Sequence, residues 1–478
     1  MDCLPDDVFI KVLRCLPARS LAASRCVSKE WCTIIDTNRL LLPHALPHSV
    51  HGIFSNYLDH DMTHFFSRPS YSTGCGIDGC FKFLPIDAIG CNKVLDHCNG
   101  LIQYHGKISE QCKLFVCNPA THRWVQLPPF TEYDSLCISA EYLVFDPAES
   151  LHYEVFLIPD LPEIPTKKKC HKGPLMGKDA TMEWPPSVHT LWVFSSRTGR
   201  WEDKAFLHEG HATNMAGTSS EVLLDSPDMM SWGPRFIRAE YWNGALNVHF
   251  RARNPWQESF SLFLSPSALV NRMLSILGAK YRVIKTPRFD GPGGYTSDVL
   301  GRSETGIYYA KRQNFQLRVW ALDESHELTK WVVKYDVNLC PLTKLIEGLF
   351  SWHHAKINKM WILDESDDDD DEEEDQDSAE WNSDDDNINI IGDLSKNKEE
   401  EMSMWTFGSV DLLGFHPYKE VIYLMDLDEV VAYHLRSSKV QYLGCNRLNE
   451  YNRGMEKSFF YTPCFVDLIP EGAHQKSS

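Results

Sequence analysis

The chain has 478 residues, a formal net charge of −19, 43% hydrophobic residues and 14 tryptophans. Sixteen acidic residues and no Lys or Arg lie between Asp364 and Asp386, so the remainder of the chain carries a net charge of only −3. A nearly neutral folded part argues against binding to nucleic acid or to an anionic membrane surface, because both depend on clustered basic side chains. The length is sufficient for two or three domains with substantial cores.

The N-terminal residues and the cysteine content bear on the compartment. Met1-Asp2-Cys3 lacks the basic start of a signal peptide, and Asp6 and Asp7 interrupt any apolar segment. No uninterrupted apolar stretch reaches the length of a membrane-spanning helix. The 15 cysteines are scattered through apolar runs, as is typical of buried free thiols. We therefore expect a protein of the reducing cytoplasm and/or nucleus.

Residues 4–36 have the periodicity of three short helices. Four apolar residues predict one face of the first helix: Val8, Val12, Leu13 and Leu16. Ser20 and Ser28 are predicted to cap the second and third helices. So short a segment rarely buries enough apolar surface to fold alone. Its apolar surplus is expected to lie at an interface, either with the rest of the chain or with another protein.

This segment resembles the F-box motif in Leu4-Pro5, Val12-Leu13, Leu16-Pro17, Ser20-Leu21, Val27-Ser28-Lys29 and Trp31. The resemblance implies a helical hook that binds the Skp-type adaptor of a cullin–RING ubiquitin ligase. By position, the implied adaptor-binding residues are Leu4, Pro5, Val8, Val12, Leu13, Leu16, Pro17 and Leu21. The implied core of the F-box is Val27, Trp31, Ile34 and Ile35.

The remainder of the chain repeats a β-rich pattern of an apolar strand, a polar turn and a second strand that contains an aromatic residue. Four copies occur, at residues 114–128, 191–201, 317–333 and 430–443. Between them, Asn99-Gly100, Asn243-Gly244 and Thr305-Gly306 each predict a tight turn followed by a strand. The pattern predicts units of about four strands with a period of about 40 to 50 residues, stacked as in a β-propeller.

This region resembles the kelch-like F-box-associated domain of plant-type F-box proteins. The resemblance is carried by Cys98-Asn99-Gly100-Leu101, Asn118-Pro119-Ala120-Thr121, residues 142–147 and residues 460–468. The expected fold is an α+β multidomain protein, with a short three-helix F-box before a mainly-β, β-propeller-like repeat domain that holds a disordered acidic insertion. The predicted divisions are 1–42 (F-box), 43–86 (connector), 87–363 and 404–470 (β-propeller-like domain), 364–403 (acidic insertion) and 471–478 (tail).

One segment of the β-rich region has a helical spacing. Leu269, Met273, Leu274 and Leu277 follow Ser265-Pro266 and predict a helix that ends at Gly278.

No motif in the sequence predicts catalysis, and we expect no catalytic residues, no metal and no cofactor. The short cysteine pairs have a spacing of C-x4-C rather than that of paired zinc ligands, and no nucleophile is fixed beside a base. The leading hypothesis is a non-catalytic receptor subunit of an SCF-type ubiquitin ligase. It would bind a Skp-type adaptor, through it the cullin and RING subunits, and an unknown protein substrate. The alternative is a propeller-type enzyme or a lectin-like carbohydrate-binding module, in which aromatic loops such as Tyr241-Trp242 and Asn254-Pro255-Trp256 stack on sugar rings.

Overall fold

A computed structural model gives the architecture of the chain. It describes residues 6–16, 20–21, 24–38, 40, 46, 48–67, 77–87, 90–109, 111–130, 138–159, 183–184, 187–209, 217–218, 236–253, 269–287, 296–325, 329–351, 360–364, 389–396, 410–426, 428–448, 454–465 and 469. The described part is mostly β, with few helices. The helices are α1 (Asp6–Arg14), α2 (Lys29–Thr37) and α3 (Cys340–Ser351).

The strands follow one another through the rest of the chain. The first eleven are β1 (Gly52–Tyr57), β2 (Thr63–Ser67), β3 (Lys93–Cys98), β4 (Leu101–Ile108), β5 (Gln111–Asn118), β6 (Arg123–Gln126), β7 (Ile138–Val144), β8 (Glu154–Pro159), β9 (Glu183–Trp184), β10 (Val188–Ser195) and β11 (Arg200–His208). The next nine are β12 (Gly217–Thr218), β13 (Phe236–Trp242), β14 (Ala245–Arg253), β15 (Leu269–Leu277), β16 (Lys280–Lys285), β17 (Thr296–Ser303), β18 (Gly306–Gln313), β19 (Gln316–Asp323) and β20 (Lys330–Asn338). The last seven are β21 (Ile362–Asp364), β22 (Ile390–Asp393), β23 (Asp411–Phe415), β24 (Val421–Asp426), β25 (Glu429–His434), β26 (Lys439–Cys445) and β27 (Met455–Tyr461).

Within the described residues these strands form six antiparallel units of four principal strands each. The units are β27-β1-β2-β21, β3-β4-β5-β6, β7-β8-β10-β11, β13-β14-β15-β16, β17-β18-β19-β20 and β23-β24-β25-β26. The third and fourth units merge into one eight-stranded sheet, because β11 and β16 pair in parallel through Leu207↔Lys280 and His208↔Tyr281. The first strands of successive units, β27, β3, β7, β13, β17 and β23, contact one another in a closed cycle. We call this closed arrangement the ring and these six strands its inner strands.

Three separate parts of the chain close the ring. The C-terminal strand β27 pairs with β1, in register from Gly52↔Tyr461 to Asn56↔Lys457. On the other side of β1 lies β2, and the outer edge of β2 is covered by β21 from the middle of the chain. The indole of Trp361, just before β21, lies in a buried cluster with Phe66, and the backbone N–H of Trp361 donates to Leu443 of the neighbouring unit at 2.8 Å.

Two of the predicted divisions are corrected here. The predicted connector 43–86 contains β1 and β2, which belong to the ring. Part of the predicted acidic insertion is also structured, because Asp364 ends β21 and residues 390–393 form β22 on the outer edge of β26. Ile391 supplies the apolar contact there, packing against the core that units five and six share. Residues 365–388 and 397–403 of that insertion lie outside the described residues.

The predicted helix at Leu269–Leu277 is wrong, because these residues form strand β15, paired with β14 on one side and β16 on the other. Met273, Leu274 and Ile276 are buried in this strand. A strand that is buried on both faces has no strict alternation of polar and apolar residues, so its apolar residues can coincide with a helical spacing.

Candidate docking surface and central cavity

Helices α1 and α2 form a small module with an interior of its own. Four buried side chains make that interior, and they are Leu13, Leu21, Ile35 and Leu40. Phe9 and Trp31 close one side with an edge-to-face contact of 4.7 Å between ring centroids. As predicted, Ser28 caps α2, with its Oγ accepting the backbone N–H of Trp31 at 3.1 Å. The second predicted helix is described only in part, with Ser20, Leu21 and Ser24 in helical conformation.

The outer face of α1 carries an apolar strip. Val8 and Val12 lie one helical turn apart and are 37% and 51% exposed. They are offset by one position from Phe9 and Leu13, which face the interior of the module. Exposed apolar side chains grouped on one helix face are typical of a docking surface. We call Val8 and Val12 the α1 strip.

The structure divides the predicted F-box residues differently from the sequence. Leu13 and Leu21, predicted to bind an adaptor, are 1% and 0% exposed and belong to the interior. Val27, predicted to be a core residue, is 64% exposed, because it lies in the turn before α2 rather than on a helix face. The structure therefore places Leu13 and Leu21 inside the helical module and Val27 on its surface, and the adaptor contacts of the predicted residues stay predictions.

The other predicted F-box residues have the following places. Ile35 is buried, whereas Trp31, Ile34 and Leu16 are partly buried against the same interior. Leu4, Pro5 and Pro17 lie outside the described residues.

A second candidate site lies at the centre of the ring, where a cavity of about 40 Å³ is lined mainly by inner strands. Its charged lining consists of Asp96 on β3, Arg238 and Glu240 on β13, and Arg302 on β17. Sequence reasoning missed this site because the four residues are up to 206 positions apart. The signal available in the sequence was that β3, β13 and β17 each contain charged residues among their apolar ones.

Two of these charged groups are held by the protein itself. Arg238 donates from Nη1 to the carbonyl of Leu413 at 3.1 Å and from Nη2 to Oγ and to the carbonyl oxygen of Ser458. Asp96 accepts the backbone N–H of Leu143 at 2.7 Å. Burial raises the pKa of Asp96 to about 7, because the ionised form loses its hydration.

Burial also shifts the pKa values of the neighbouring groups at the cavity. Burial lowers the pKa of His97 to about 3, and the positive charges of Arg302 and Arg238 act in the same direction. Burial also raises the pKa of the Cys98 thiol to about 12. At neutral pH, His97 is therefore an uncharged imidazole, and Cys98 is an uncharged thiol that keeps its proton. In the described part of the chain, no cluster of His, Cys, Asp and Glu has the arrangement of a metal site.

Arg302 connects the cavity wall to the segment between the helical module and the ring. Arg302 donates to Oδ1 of Asn99 at 2.6 Å and lies over the ring of Tyr418, 5.2 Å from its centroid. Tyr418 also stacks on His48, which precedes β1, with 4.4 Å between the ring centroids. Through Tyr418, the joining segment therefore contacts a residue that packs on Arg302 of the cavity wall.

The chain thus combines a small helical module, which carries an uncovered apolar strip, with a ring of β-sheets. Residues 1–42 match the F-box domain family. F-box protein At5g65850 of Arabidopsis thaliana is 31% identical over 128 residues, covering 26% of this chain and 32% of the relative. F-box protein At5g07610 of the same plant is 23% identical over 350 residues, covering 70% of this chain and 71% of the relative. The chain thus carries an F-box domain at residues 1–42 and is similar to F-box proteins of Arabidopsis thaliana, although it spans only about a third of the length of the first of these relatives.

Similarity to solved structures is weak. The N-terminal domain of Nup159 aligns with a TM-score of 0.25 and 10% identity, covering 82% of this chain and 75% of that one. NanB sialidase from Streptococcus pneumoniae aligns with a TM-score of 0.22 and 9% identity, covering 61% of this chain and 44% of that one. Neither similarity bears on function. Among the described residues, no helix has the length and apolar character needed to cross a membrane.

Proposed function

We propose that the protein is a substrate receptor of an SCF-type cullin–RING ubiquitin ligase. The α1 strip would bind a Skp-type adaptor, and the ring, as a six-bladed β-propeller, would bind a target protein. The observation that carries the proposal is the F-box match at residues 1–42 together with the exposure of Val8 and Val12. Covering two valines with a partner contributes a few kcal/mol, and the adaptor would supply that cover.

The receptor would need no active site. By holding a target beside a ubiquitin-charged enzyme, it would raise the effective concentration of the target's lysines at that enzyme. The cullin and RING subunits would join through the adaptor, and we place the complex in the cytoplasm and/or nucleus.

The alternative of an enzyme or lectin receives some support from the convergence of Asp96, His97 and Glu240 on one cavity. Its volume, however, is far below the 300–1,000 Å³ or so of typical small-molecule sites, so a sugar ring does not fit. Tyr241 and Trp242 are partly buried against cores of the ring rather than presented to solvent. Both observations favour the receptor.

The test is co-purification of the full chain with a plant Skp adaptor. We compare the parent, a Val8→Asp/Val12→Asp variant and a control, Val332→Asp/Val333→Asp. The control changes two exposed valines on β20 of the ring, 39% and 52% exposed. We expect the adaptor to remain with the parent and the control and to be lost from the α1 variant. Undiminished binding by the α1 variant, or none by the parent, would overturn the proposal.

A further inference from the structure

The outer half of the third unit has an apolar surface that faces solvent. In the hairpin of β10 and β11, successive cross-strand pairs lie on alternate faces of the sheet. One face carries Glu202 and Lys204 at its outer positions, as is usual for a strand that meets water. On the other face, Val188 and Leu207 pair with each other and are 46% and 55% exposed. Exposed apolar side chains grouped in this way are typical of a binding surface.

The short outer strand of the second unit explains this exposure. Neighbouring units of the ring cover each other's faces, and Phe194 of the third unit packs in one core with Leu127, which directly follows β6. Strand β6 has only four residues, whereas β11 has nine. A strand of four residues spans about 13 Å, less than half the length of β11, so the face of β11 extends beyond it.

The open part of this face is formed by three successive cross-strand pairs. They are Trp192↔Asp203, Thr190↔Ala205 and Val188↔Leu207. We call these six residues the unit-three strip. All of them are exposed except Trp192, which is partly buried. The apolar row continues past Leu207, because the pairing of β11, β16 and β15 brings Leu277, 47% exposed, into line with it.

Asp203 is the charged residue of the unit-three strip. Its carboxylate forms no hydrogen bond or ion pair with the described part of the chain. The charges around it are already paired, Lys280 with Glu209 at 2.7 Å and Lys204 with Glu154 at 2.8 Å. The whole chain has a net charge of −19. An unpaired carboxylate on an acidic protein attracts a basic partner and repels an acidic one.

Trp192 lies beside Asp203 and restricts the basic group that fits. Residues directly opposite each other in an antiparallel pair have Cβ atoms about 5 Å apart. Phe130 contacts the indole edge-to-face, with 5.0 Å between the ring centroids, and leaves it partly exposed. A planar guanidinium group can stack on an indole and pair with a neighbouring carboxylate at the same time. The pair therefore suits arginine better than lysine.

We propose that the unit-three strip binds an extended segment of the target protein in which an arginine is flanked by apolar residues at every second position. The arginine lies over Trp192 and pairs with Asp203, and the apolar residue four positions away covers Val188 and Leu207. This spacing follows from the strip, because Trp192 and Val188 are four residues apart on one strand and an extended segment has the same period. The inference rests on the proposed function, because it makes the ring the part that binds the target.

The probe is an N-terminally labelled nonapeptide, Leu-Ser-Val-Ser-Arg-Ser-Val-Ser-Leu-amide, whose pattern reads the same in both directions. Fluorescence anisotropy measures its dissociation constant with the full chain, together with those of two peptides that have Glu or Lys in place of the Arg. We expect the Arg peptide to bind about tenfold more tightly than the Glu peptide and about threefold more tightly than the Lys peptide. Equal binding of the Arg and Glu peptides, or no binding of any peptide, would overturn the inference. Equal binding of the Arg and Lys peptides would overturn the choice of arginine.

Charge reversal on the two faces of β11 identifies the surface that the peptide contacts. Asp203→Lys should reverse the preference, so that the Glu peptide binds about tenfold more tightly than the Arg peptide. Glu202→Lys is the matched control, because it makes the same change of charge at the adjacent exposed residue, whose side chain lies on the opposite face. It should keep the preference for the Arg peptide. Equal effects of the two variants would show a response to net charge alone and would contradict the assignment to the unit-three strip.

Leu207→Ser tests the apolar part of the strip. It should weaken the binding of all three peptides about tenfold, whereas Val333→Ser, at a 52% exposed valine of β20, should leave them unchanged. Sedimentation velocity tests a second copy of the chain as the occupant. We expect the parent to be a monomer, and a dimer that Leu207→Ser converts to a monomer would overturn the inference. No titration requires the adaptor, so a failure here is distinct from failure of the receptor proposal.

Discussion

Gly100 in the β3–β4 turn shows how a single residue supports the closure of the ring. Its φ is +87°, and a Cβ atom there would lie 2.5 Å from the backbone nitrogen of Cys464, just beyond β27. Gly199, in the β10–β11 turn, also has a positive φ, of +67°, but a Cβ there would meet nothing within 4 Å. Both glycines therefore occupy the positive φ region, but only Gly100 lies where a side chain would clash with a neighbouring segment.

We predict that Gly100→Ala lowers the free energy of unfolding by roughly 3 kcal/mol and Gly199→Ala by about 1 kcal/mol. Both substitutions place alanine at a positive φ, which is unfavourable for a residue with a Cβ atom. Only Gly100→Ala also forces β3 and the end of β27 apart. Urea unfolding followed by tryptophan fluorescence measures both values. Equal losses at the two positions would contradict the packing at Cys464.

His416 gives a prediction about pH. Its side chain is 6% exposed, and its Nδ1 accepts the backbone N–H of Tyr418 at 3.0 Å, which requires the neutral ring. Burial, assisted by nearby basic groups, lowers its pKa from 6.5 to about 3. Between these values the unfolded chain binds a proton that the folded chain does not, so stability falls as the pH decreases from 6.5 towards 3.

We expect each pH unit in that interval to cost about 1.4 kcal/mol through His416. In a His416→Asn variant the group does not titrate, while its amide oxygen can still accept from Tyr418. Between pH 7.5 and pH 5 the parent should therefore lose about 2 kcal/mol more stability in urea unfolding than the variant. Parallel pH profiles would show that His416 is not buried as a neutral ring.

At the scale of elements, the turns and the hairpins they join were predictable from the sequence. Asn99-Gly100 and Asn243-Gly244 have the positive φ values of a tight hairpin turn at both residues, and both connect the first and second strands of a unit. The four repeated strand–turn–strand copies all form the third and fourth strands of their units. These features depend on neighbouring residues, so they are present in short stretches of sequence.

The elements that sequence reasoning missed depend on distant partners. The local sequence predicts a connector where β1 and β2 lie, because their partners, β27 and β21, are about 300 to 400 residues away. The central cavity was missed for the same reason, since its charged residues are brought together only by closure of the ring. In the helical module, periodicity identifies the apolar residues of α1 but does not show which of its two adjacent faces packs against α2. Leu13 on the buried face and Val12 on the exposed face therefore both belong to the predicted adaptor-binding residues.

Strand β27 is predicted to be essential for the ring and dispensable for the helical module. A chain that ends at residue 453 loses Phe459, Phe460 and Tyr461, each 8% exposed or less. It should lose the cooperative unfolding transition of the ring, because β1 would lose its paired strand and β23 would lose the neighbouring inner strand. The same chain should still bind a Skp adaptor, since the interior of the module contains no ring residue. A chain that ends at residue 470 is the control and should unfold as the parent does.

For the molecule as a whole, the two interiors are separate and connected by a docked segment. The helical module has its own cluster of buried residues, while the joining segment inserts Leu46 and Val50 into cores of the ring and stacks His48 on Tyr418. The described residues of the segment are therefore held to the ring at three points, while the module and the ring keep separate cores.

We propose above that another subunit covers the outer face of α1. Hydrogen–deuterium exchange of the full chain with and without a Skp adaptor measures this cover directly. We expect slower exchange in residues 6–16 when the adaptor is present, with the strands of the ring unchanged. Protection that appears in the ring while α1 exchanges as before would contradict it.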